Sequence, residues 1–255
     1  MRIFAAFLAV LAMFILPAQA DEAPLLAGLV KEGKLPPEAE RLPKEPRVMT
    51  IDEKTGRTVG KRGGTIRTLM AEQGDLRLMT VYGYARLVAY NSALELEPDI
   101  LQSYENDKNR VFTLHLRPGH KWSDGSPFTA EDFRFHWEDI LTDKDMDRGG
   151  LDSSLLANGK GPKFEVIDDL TVRYTWEDPN PLFLPALAGA RPLDIYSASA
   201  YLKQFHAKYA EQAKLDAEVA KEQVKDWTRL QIRKGRSYRF ENPDLPTLQP
   251  WQNKT

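Results

Sequence analysis

The sequence predicts a mixed α/β (α+β) fold, and three observations predict it. Residues 112–117 alternate apolar and polar side chains, which is typical of a half-buried strand, and residues 130–141 carry apolar side chains at helical spacing. Residues 164–169 and 170–176 form two more strand patterns that meet at an aspartate pair. Residues 199–234 then carry a long helical pattern. Strands and helices therefore both contribute to the predicted core.

Residues 1–20 have the pattern of a secretory signal peptide. Arg2 precedes an apolar run from Ile3 to Leu16, and Ala18-Gln19-Ala20 supplies small residues at the cleavage positions. The run is shorter than the roughly 20 residues that span a bilayer, so a retained membrane anchor is the weaker alternative. The chain contains 0 cysteines, which leaves no lipid attachment site and no disulfide. We expect an exported protein that is not a lipoprotein.

Composition places the chain among ordinary globular proteins. Hydrophobic residues make up 42% and charged residues 28%, with a formal net charge of −2. The two signs of charge are interleaved, and no basic stripe predicts a nucleic-acid partner. The composition therefore gives no indication of nucleic-acid binding.

The chain after the signal peptide divides into an arm and a folded region. Residues 21–60, the arm, are polar and proline-marked, and they predict an extended surface segment with one helical turn near Leu25–Val30. From residue 61 onward, Gly63-Gly64 leads into an alternating pattern that predicts a strand to Met70. Residues 75–90 predict a helix, Gln102–Asp107 a strand, and Asp107–Arg110 a turn.

The most informative stretch runs from Phe112 to Leu141. Pro118-Gly119 ends the first strand, residues 123–127 are turn formers, and Thr129 with Asp132 has the spacing of a capping box. The helical pattern that follows places Phe133, Trp137, Ile140 and Leu141 on one face. It places most of the carboxylates, including Glu131, Glu138 and Asp139, toward water.

This stretch, FTLHLRPGHKWSDGSPFTAEDFRFHWEDIL, resembles the signature segment of the family 5 extracellular solute-binding proteins. The family consists of periplasmic receptors that deliver peptides, nickel complexes or opines to ABC importers. The resemblance implies a two-lobe periplasmic-binding-protein type II fold, of which residues 61–255 would be an incomplete lobe I, without the second lobe and the return segment. It also implies a periplasmic location, a small-molecule ligand (peptide, opine or nickel chelate) and an ABC transporter permease in the inner membrane as partner.

No catalytic constellation is found in the sequence. The four histidines are scattered without zinc-hydrolase spacing, no Gly-x-Ser-x-Gly elbow exists, and cysteine is absent. His136 with Asp132 makes an i, i+4 pair that favours a surface hydrogen bond over a metal site. We predict no catalytic residue, no metal site and no cofactor.

Three residues are candidates for ligand binding. Arg191 lies between two apolar stretches, a costly place for a guanidinium unless it meets an anion or an array of carbonyls, or pairs with Asp194. Phe135 lies off the main apolar face of its helix and could face a cleft or pack in a second layer. Tyr82 could contact a ligand as well, although core packing is favoured for it.

Two functions from different classes follow. The first is a receptor that binds oligopeptides or similar small solutes by lobe closure. The second is a non-binding fragment, or one half of a split gene, that needs its partner half. An enzyme is a distant third alternative.

Overall fold

A computed structural model describes residues 22–49, 51, 56–61, 63–146, 149–236 and 242–251. The predicted signal peptide lies outside these residues. The strands are β1 Val88–Tyr90, β2 Leu96–Pro98, β3 Leu101–Asp107, β4 Val111–Leu116, β5 Lys163–Asp168 and β6 Thr171–Thr175. The α-helices are α1 Pro24–Lys31, α2 Glu38–Arg41, α3 Leu78–Gly83, α4 Ala130–Arg134, α5 Phe183–Leu187, α6 Ser199–Leu202, α7 Gln212–Lys221 and α8 Trp227–Lys234. Short 3₁₀ turns cover Gln73–Arg77, Ser153–Leu155 and Lys203–Phe205.

An antiparallel sheet of strand order β3-β4-β6-β5 forms the centre of the fold. β4 lies between β3 and β6, and its inward side chains Phe112, Leu114 and Leu116 are almost fully buried. The turn predicted at Asp107–Arg110 is confirmed: Lys108 and Asn109 both have positive φ, the geometry that matches the twist of a tight hairpin. β1 and β2 form a separate two-stranded antiparallel sheet.

The helix of the signature segment joins two apolar clusters. Phe133 packs with sheet residues in the larger cluster, beside Phe112, Tyr174 and Phe183. Phe135, two positions later, packs in a second cluster between the helix and residues of α6–α8. From Phe135 to Leu141 the helix widens to π geometry, with the Thr142 amide donating to the Trp137 carbonyl over 3.0 Å.

The predicted capping box is present, but it is buried. The Asp132 carboxylate accepts hydrogen bonds from the Thr129 amide, the Trp122 indole and both the amide and hydroxyl of Ser199. Burial raises the pKa of Asp132, and these hydrogen bonds act in the opposite direction. The surface position predicted for the pair Asp132 and His136 is wrong. Both residues are buried, and His136 Nδ1 lies 2.8 Å from Ser197 Oγ.

Asp139, predicted to face water, is also buried. It accepts hydrogen bonds from Lys208 Nζ at 2.7 Å, the Tyr209 hydroxyl at 2.6 Å and Arg134 Nη2 at 3.0 Å. Burial acts to raise the pKa of Asp139, but these hydrogen bonds and the charge of Arg134 outweigh it and hold the pKa below its ordinary value. The ion pairs therefore fix the second cluster to the signature helix.

Three predicted elements differ from the structure. The strand predicted up to Met70 is not formed: residues 63–70 have no partner strand among the described residues, and the alternating pattern alone supplies no hydrogen bonds. The helix predicted over 75–90 ends at Gly83, because Tyr84 has positive φ and Val88–Tyr90 pairs with β2. The tract 199–234 is broken by turns, including one at Gln223 with positive φ, and Asp226 then caps the start of a new helix, α8.

The described residues of the arm, 22–49, 51 and 56–60, are exposed or half-buried. α1 forms near the predicted turn, and α2 is an additional short helix. The Lys44 amide donates to the Pro118 carbonyl over 3.0 Å, and Lys121 Nζ donates to the Glu40 carbonyl over 2.5 Å. In the described part of the chain, no helix has the length and apolar character needed to cross a bilayer.

We expect Asp132→Asn to lower the free energy of unfolding by about 2–3 kcal/mol, because an amide nitrogen would face donors that now meet a carboxylate oxygen. Urea unfolding of the full chain measures this change. Asp124→Asn, an exposed aspartate in the neighbouring turn, is the matched control and should change stability by less than about 0.5 kcal/mol. Equal effects of the two substitutions would contradict the role given to Asp132.

We expect the contribution of Asp139 to depend on pH. Because its folded pKa is lowered from 3.8, its stabilisation is fully present above that value and is lost as the pH falls through the folded pKa. Asp139→Asn should lower Tm by about 5 °C at pH 6. The gap to the wild type should narrow as the pH falls below 3.8. Asp216→Asn, at an exposed position, should show no such gap, and a gap for Asp139→Asn that does not narrow below pH 3.8 would contradict the assignment.

Candidate functional site

Arg86 has 1% of its surface exposed, and its guanidinium meets an array of backbone carbonyls. Nε donates to Gly189 O over 2.8 Å, Nη1 to Ala85 O over 2.9 Å, and Nη2 to Thr80 O and Ala190 O over 2.8 and 3.0 Å. Burial lowers the pKa of Arg86, and Tyr196, Tyr84, Asp99 and Asp194 act in the opposite direction. The charge is thus satisfied by oriented peptide dipoles, a suitable environment for a buried arginine.

Tyr84 makes a second bridge between the same two segments. Its hydroxyl donates to Ala188 O over 2.9 Å, and the Arg86 guanidinium lies 5.0 Å from the centre of its ring. Together these contacts hold residues 80–87 against residues 187–196. We call these two segments the Arg86 junction.

The carbonyl acceptors are available because neither segment continues as regular structure. α3 ends at Gly83, and a side chain there would stand 3.0 Å from the ring of Pro250. After α5, a Cβ added at Gly189 would lie 3.2 Å from Arg191 O, so a side chain there would crowd this turn. The Gln249 side-chain amide also donates to Ala85 O over 2.9 Å, which brings the segment 247–251 to the junction.

A small pocket opens at the junction, with a cavity volume of about 10 Å³, roughly the space of one water molecule. Burial raises the pKa of Tyr196, one of its lining residues. The lining mixes apolar side chains with Arg86, Asp194 and Tyr196: Ala85, Arg86, Leu87, Leu187, Pro192, Leu193, Asp194 and Tyr196. The pocket is too small for a solute, so the exposed side chains around it are the ones that could contact a larger ligand.

The structure brings two of the three predicted site residues to this junction. Arg191 follows directly after Ala190, whose carbonyl Arg86 binds, and its side chain is exposed. Tyr82 lies between Thr80 and Tyr84 on the other segment and is 63% exposed, so the core packing favoured for it is wrong. The array of carbonyls expected around Arg191 surrounds Arg86 instead. Arg86 was not among the residues selected from the sequence.

Phe135 lies elsewhere. It has 0% exposed surface in the second cluster and stands 5.9 Å from the ring of His206. This is the second-layer packing that the sequence left as an alternative, and it does not line an open surface. A contact between Phe135 and a ligand stays a prediction, and it would require this packing to open.

The described residues form no group of three or more His, Asp and Glu side chains that could hold a metal ion. The charged clusters around Asp132 and Asp139 are satisfied internally by hydrogen bonds and ion pairs. At the junction, the exposed Arg191 and Tyr82 offer hydrogen-bond donors and an aromatic ring.

Substitution of Arg86 and of Arg191 distinguishes the contribution of the buried arginine to stability from that of the exposed one. Arg86→Met keeps the length of the side chain but removes the guanidinium that donates to the carbonyls of Gly189 and Ala190, and we expect the free energy of unfolding to fall by about 3 kcal/mol or more. Arg191→Met, the matched control, should change it by less than about 0.5 kcal/mol. Urea unfolding of both variants tests this, and a larger loss for Arg191→Met would reverse the assignment.

Comparison with known proteins identifies the protein family. Residues 95–230, more than half of the chain, match the family described as bacterial extracellular solute-binding proteins, family 5 Middle. A periplasmic α-galactoside-binding protein of Rhizobium meliloti is 32% identical over 205 residues, which are 71% of this chain and 28% of that protein. The periplasmic oligopeptide-binding protein OppA of Escherichia coli is 28% identical over 144 residues, 51% of this chain and 26% of that protein.

Solved structures agree with the sequence comparison. A structure of an oligopeptide-binding protein OppA superimposes with a TM-score of 0.78 at 33% identity and covers 92% of this chain and 36% of that one. A periplasmic binding protein MelB of Agrobacterium fabrum, solved with stachyose, superimposes with a TM-score of 0.58 at 24% identity, over 93% of this chain and 35% of that one, and shows the same fold. The chain spans about a third of the length of these structures. Its mixed α/β fold is that of periplasmic binding proteins, and the chain belongs to the family 5 bacterial extracellular solute-binding proteins.

Proposed function

We propose that this chain is part of the periplasmic solute-binding component of an ABC importer, and that it contributes the Arg86 junction to the ligand site. The superposition on OppA, which extends over 92% of this chain, carries the proposal. A signal peptide over residues 1–20, the arm over 21–60 and the first part of lobe I over 61–255 form the proposed organisation. The proposed location is the periplasm, and the proposed partner is a permease in the inner membrane.

The proposed ligand is an oligopeptide or an oligosaccharide. Two of the relatives are named for peptide binding and for α-galactoside binding, and the exposed chemistry of the junction suits both classes. The Tyr82 ring offers an apolar face for a sugar or a side chain, and Arg191 offers five donors for a carboxylate, a carbonyl or hydroxyl groups. Binding without turnover fits these side chains, because neither supplies a nucleophile paired with a base.

The second candidate is a half that binds only together with its remaining polypeptide. The specific observation is the exposed surface formed by residues 65–70, where Ile66 is 72% and Leu69 102% exposed, together with the exposed Tyr82. Apolar side chains on an extended, unpaired segment are typical of a surface that another segment covers.

Thermal unfolding with a panel of ligands tests the proposal. We expect one class among di- to pentapeptides, α-galactosides, an opine and a nickel chelate to raise Tm, since a ligand at one hundred times its Kd adds about 2.7 kcal/mol to the stability of the state that binds it. Arg191→Ala and Tyr82→Ala should each weaken that shift without lowering the Tm of the unliganded chain. Lys214→Ala, at an exposed position on α7, is the matched control.

The same panel distinguishes the two candidates. A rise in Tm that occurs only after addition of the complementary part of an OppA-like protein supports the second candidate, a half that binds only together with its remaining polypeptide. No shift under either condition, or turnover of a ligand by the chain, would contradict the proposed function.

A further inference from the structure

Residues 44–47 attach the arm to the fold. Arg47 bridges two carboxylates: Nη1 donates to Asp99 Oδ1 over 2.6 Å, and Nη2 pairs with Glu97 Oε1. Arg117 Nη1 donates to the Glu45 carbonyl over 2.9 Å beside this bridge. A bidentate arginine with 22% of its side chain exposed, on carboxylates that are 18% and 37% exposed, is more than a loose surface pair.

Asp99 carries this contact to the Arg86 junction. Its second oxygen, Oδ2, accepts from the Arg86 backbone amide over 2.9 Å, while its carbonyl accepts from Arg117 Nε and Nη2 over 3.2 Å each. The backbone also returns to the junction, since the Ile100 amide donates to Arg86 O over 2.8 Å. Arg47 thus fixes one oxygen of the carboxylate whose other oxygen holds Arg86.

Arg86 completes the route to the exposed surface. Its guanidinium donates to Gly189 O and Ala190 O, the two carbonyls directly before Arg191. The three links run from Arg47 to Asp99, from Asp99 to the Arg86 amide, and from the Arg86 guanidinium to the turn that presents Arg191. Each link is a direct hydrogen bond of 3.0 Å or less.

We propose that Arg47 of the arm is a positioning residue for the turn 188–191, and through it for ligand contacts at the Arg86 junction. Without Arg47, the Asp99 carboxylate would lose the hydrogen bond that fixes Oδ1 and would rotate toward water, which releases the Arg86 amide. The turn would then sample more conformations, although no residue that could touch a ligand has changed. The ligand part of the inference rests on the proposed function, whereas the positioning of the turn does not.

Arg41 provides a matched control within the arm. Arg41 Nη2 donates to both carboxylate oxygens of Glu22, over 2.6 and 2.5 Å, and the Arg41 side chain is 26% exposed. Its partner belongs to the arm itself and makes no contact with Asp99. Arg41→Gln therefore weakens the arm to a similar degree and leaves the route to the junction intact.

Hydrogen exchange of the full chain, followed by mass spectrometry, tests the proposal without any ligand. We expect Arg47→Gln to speed exchange roughly tenfold in peptides covering 187–194, where the Leu193 amide donates to Ala186 O over 2.9 Å. Arg41→Gln should leave these peptides as in the wild type. Arg47→Lys keeps the charge but cannot bridge both carboxylates, and it should give an intermediate rate.

Two outcomes would overturn the proposal. One is that Arg47→Gln accelerates exchange in the arm but not in 187–194, which would make Arg47 an anchor of the arm only. The other is that Arg41→Gln accelerates exchange in 187–194 as strongly, which would indicate general loosening. If Arg47→Gln fails to fold, Arg47→Lys and Asp99→Asn supply the same comparison. A ligand panel without response would contradict the proposed function but would leave this exchange result standing.

Discussion

The carbonyl array around Arg86 is the constraint on which the rest of the candidate site depends. A guanidinium stays charged in a protein, so a buried one must be surrounded by acceptors. Here the acceptors come from Thr80 and Ala85 on one side and from Gly189 and Ala190 on the other. These acceptors lie near two helix ends, because α3 stops at Gly83 and α5 gives way to a turn after Leu187. The two helix ends and the buried charge therefore require each other.

The signature segment obeys a different constraint, namely the burial of two carboxylates on one helix. Asp132 is held by Trp122 and Ser199, and Asp139 by Lys208 and Tyr209. Each aspartate thus ties the helix to residues about 67–70 positions later in the chain. The π geometry between Phe135 and Leu141 belongs to this arrangement: it lies where the helix changes from one apolar cluster to the other. This helix is consequently packed on two sides.

The elements that the sequence predicted correctly are those determined by neighbouring residues. The tight turn at Lys108-Asn109, the capping box of Thr129 and Asp132, and strands β3 to β6 follow from local propensity and period-two patterning. The family, too, was visible in the signature segment. The burial of Asp132 and Asp139 was not, because helical periodicity assigns a carboxylate to the solvent face unless its distant partners are known.

The choice between the two arginines shows the same limit at the candidate site. The sequence offered Arg191, between apolar stretches, as the arginine that needs a carbonyl array, and did not single out Arg86, which lies next to apolar Leu87 and Val88 as well. Which of them turns inward depends on whether the chain 100 positions away presents free carbonyls, and single-sequence patterns do not carry that information. Tyr82 was misassigned for a related reason, since the helix that would have buried it ends one residue later.

The extended segment 65–70 completes this argument. Its alternation of apolar and polar side chains is that of a strand, yet a strand requires hydrogen bonds from a neighbour, and none of the described residues supplies them. Ile66 and Leu69 remain exposed as a result, whereas the equally alternating β4 is buried because β3 and β6 pair with it on both sides. Period-two patterning thus predicts which side chains could be buried on one face of a strand. Whether they are buried is decided by the partner segment, and in the relatives, which are about three times longer than this chain's matched region, additional polypeptide is present to act as one.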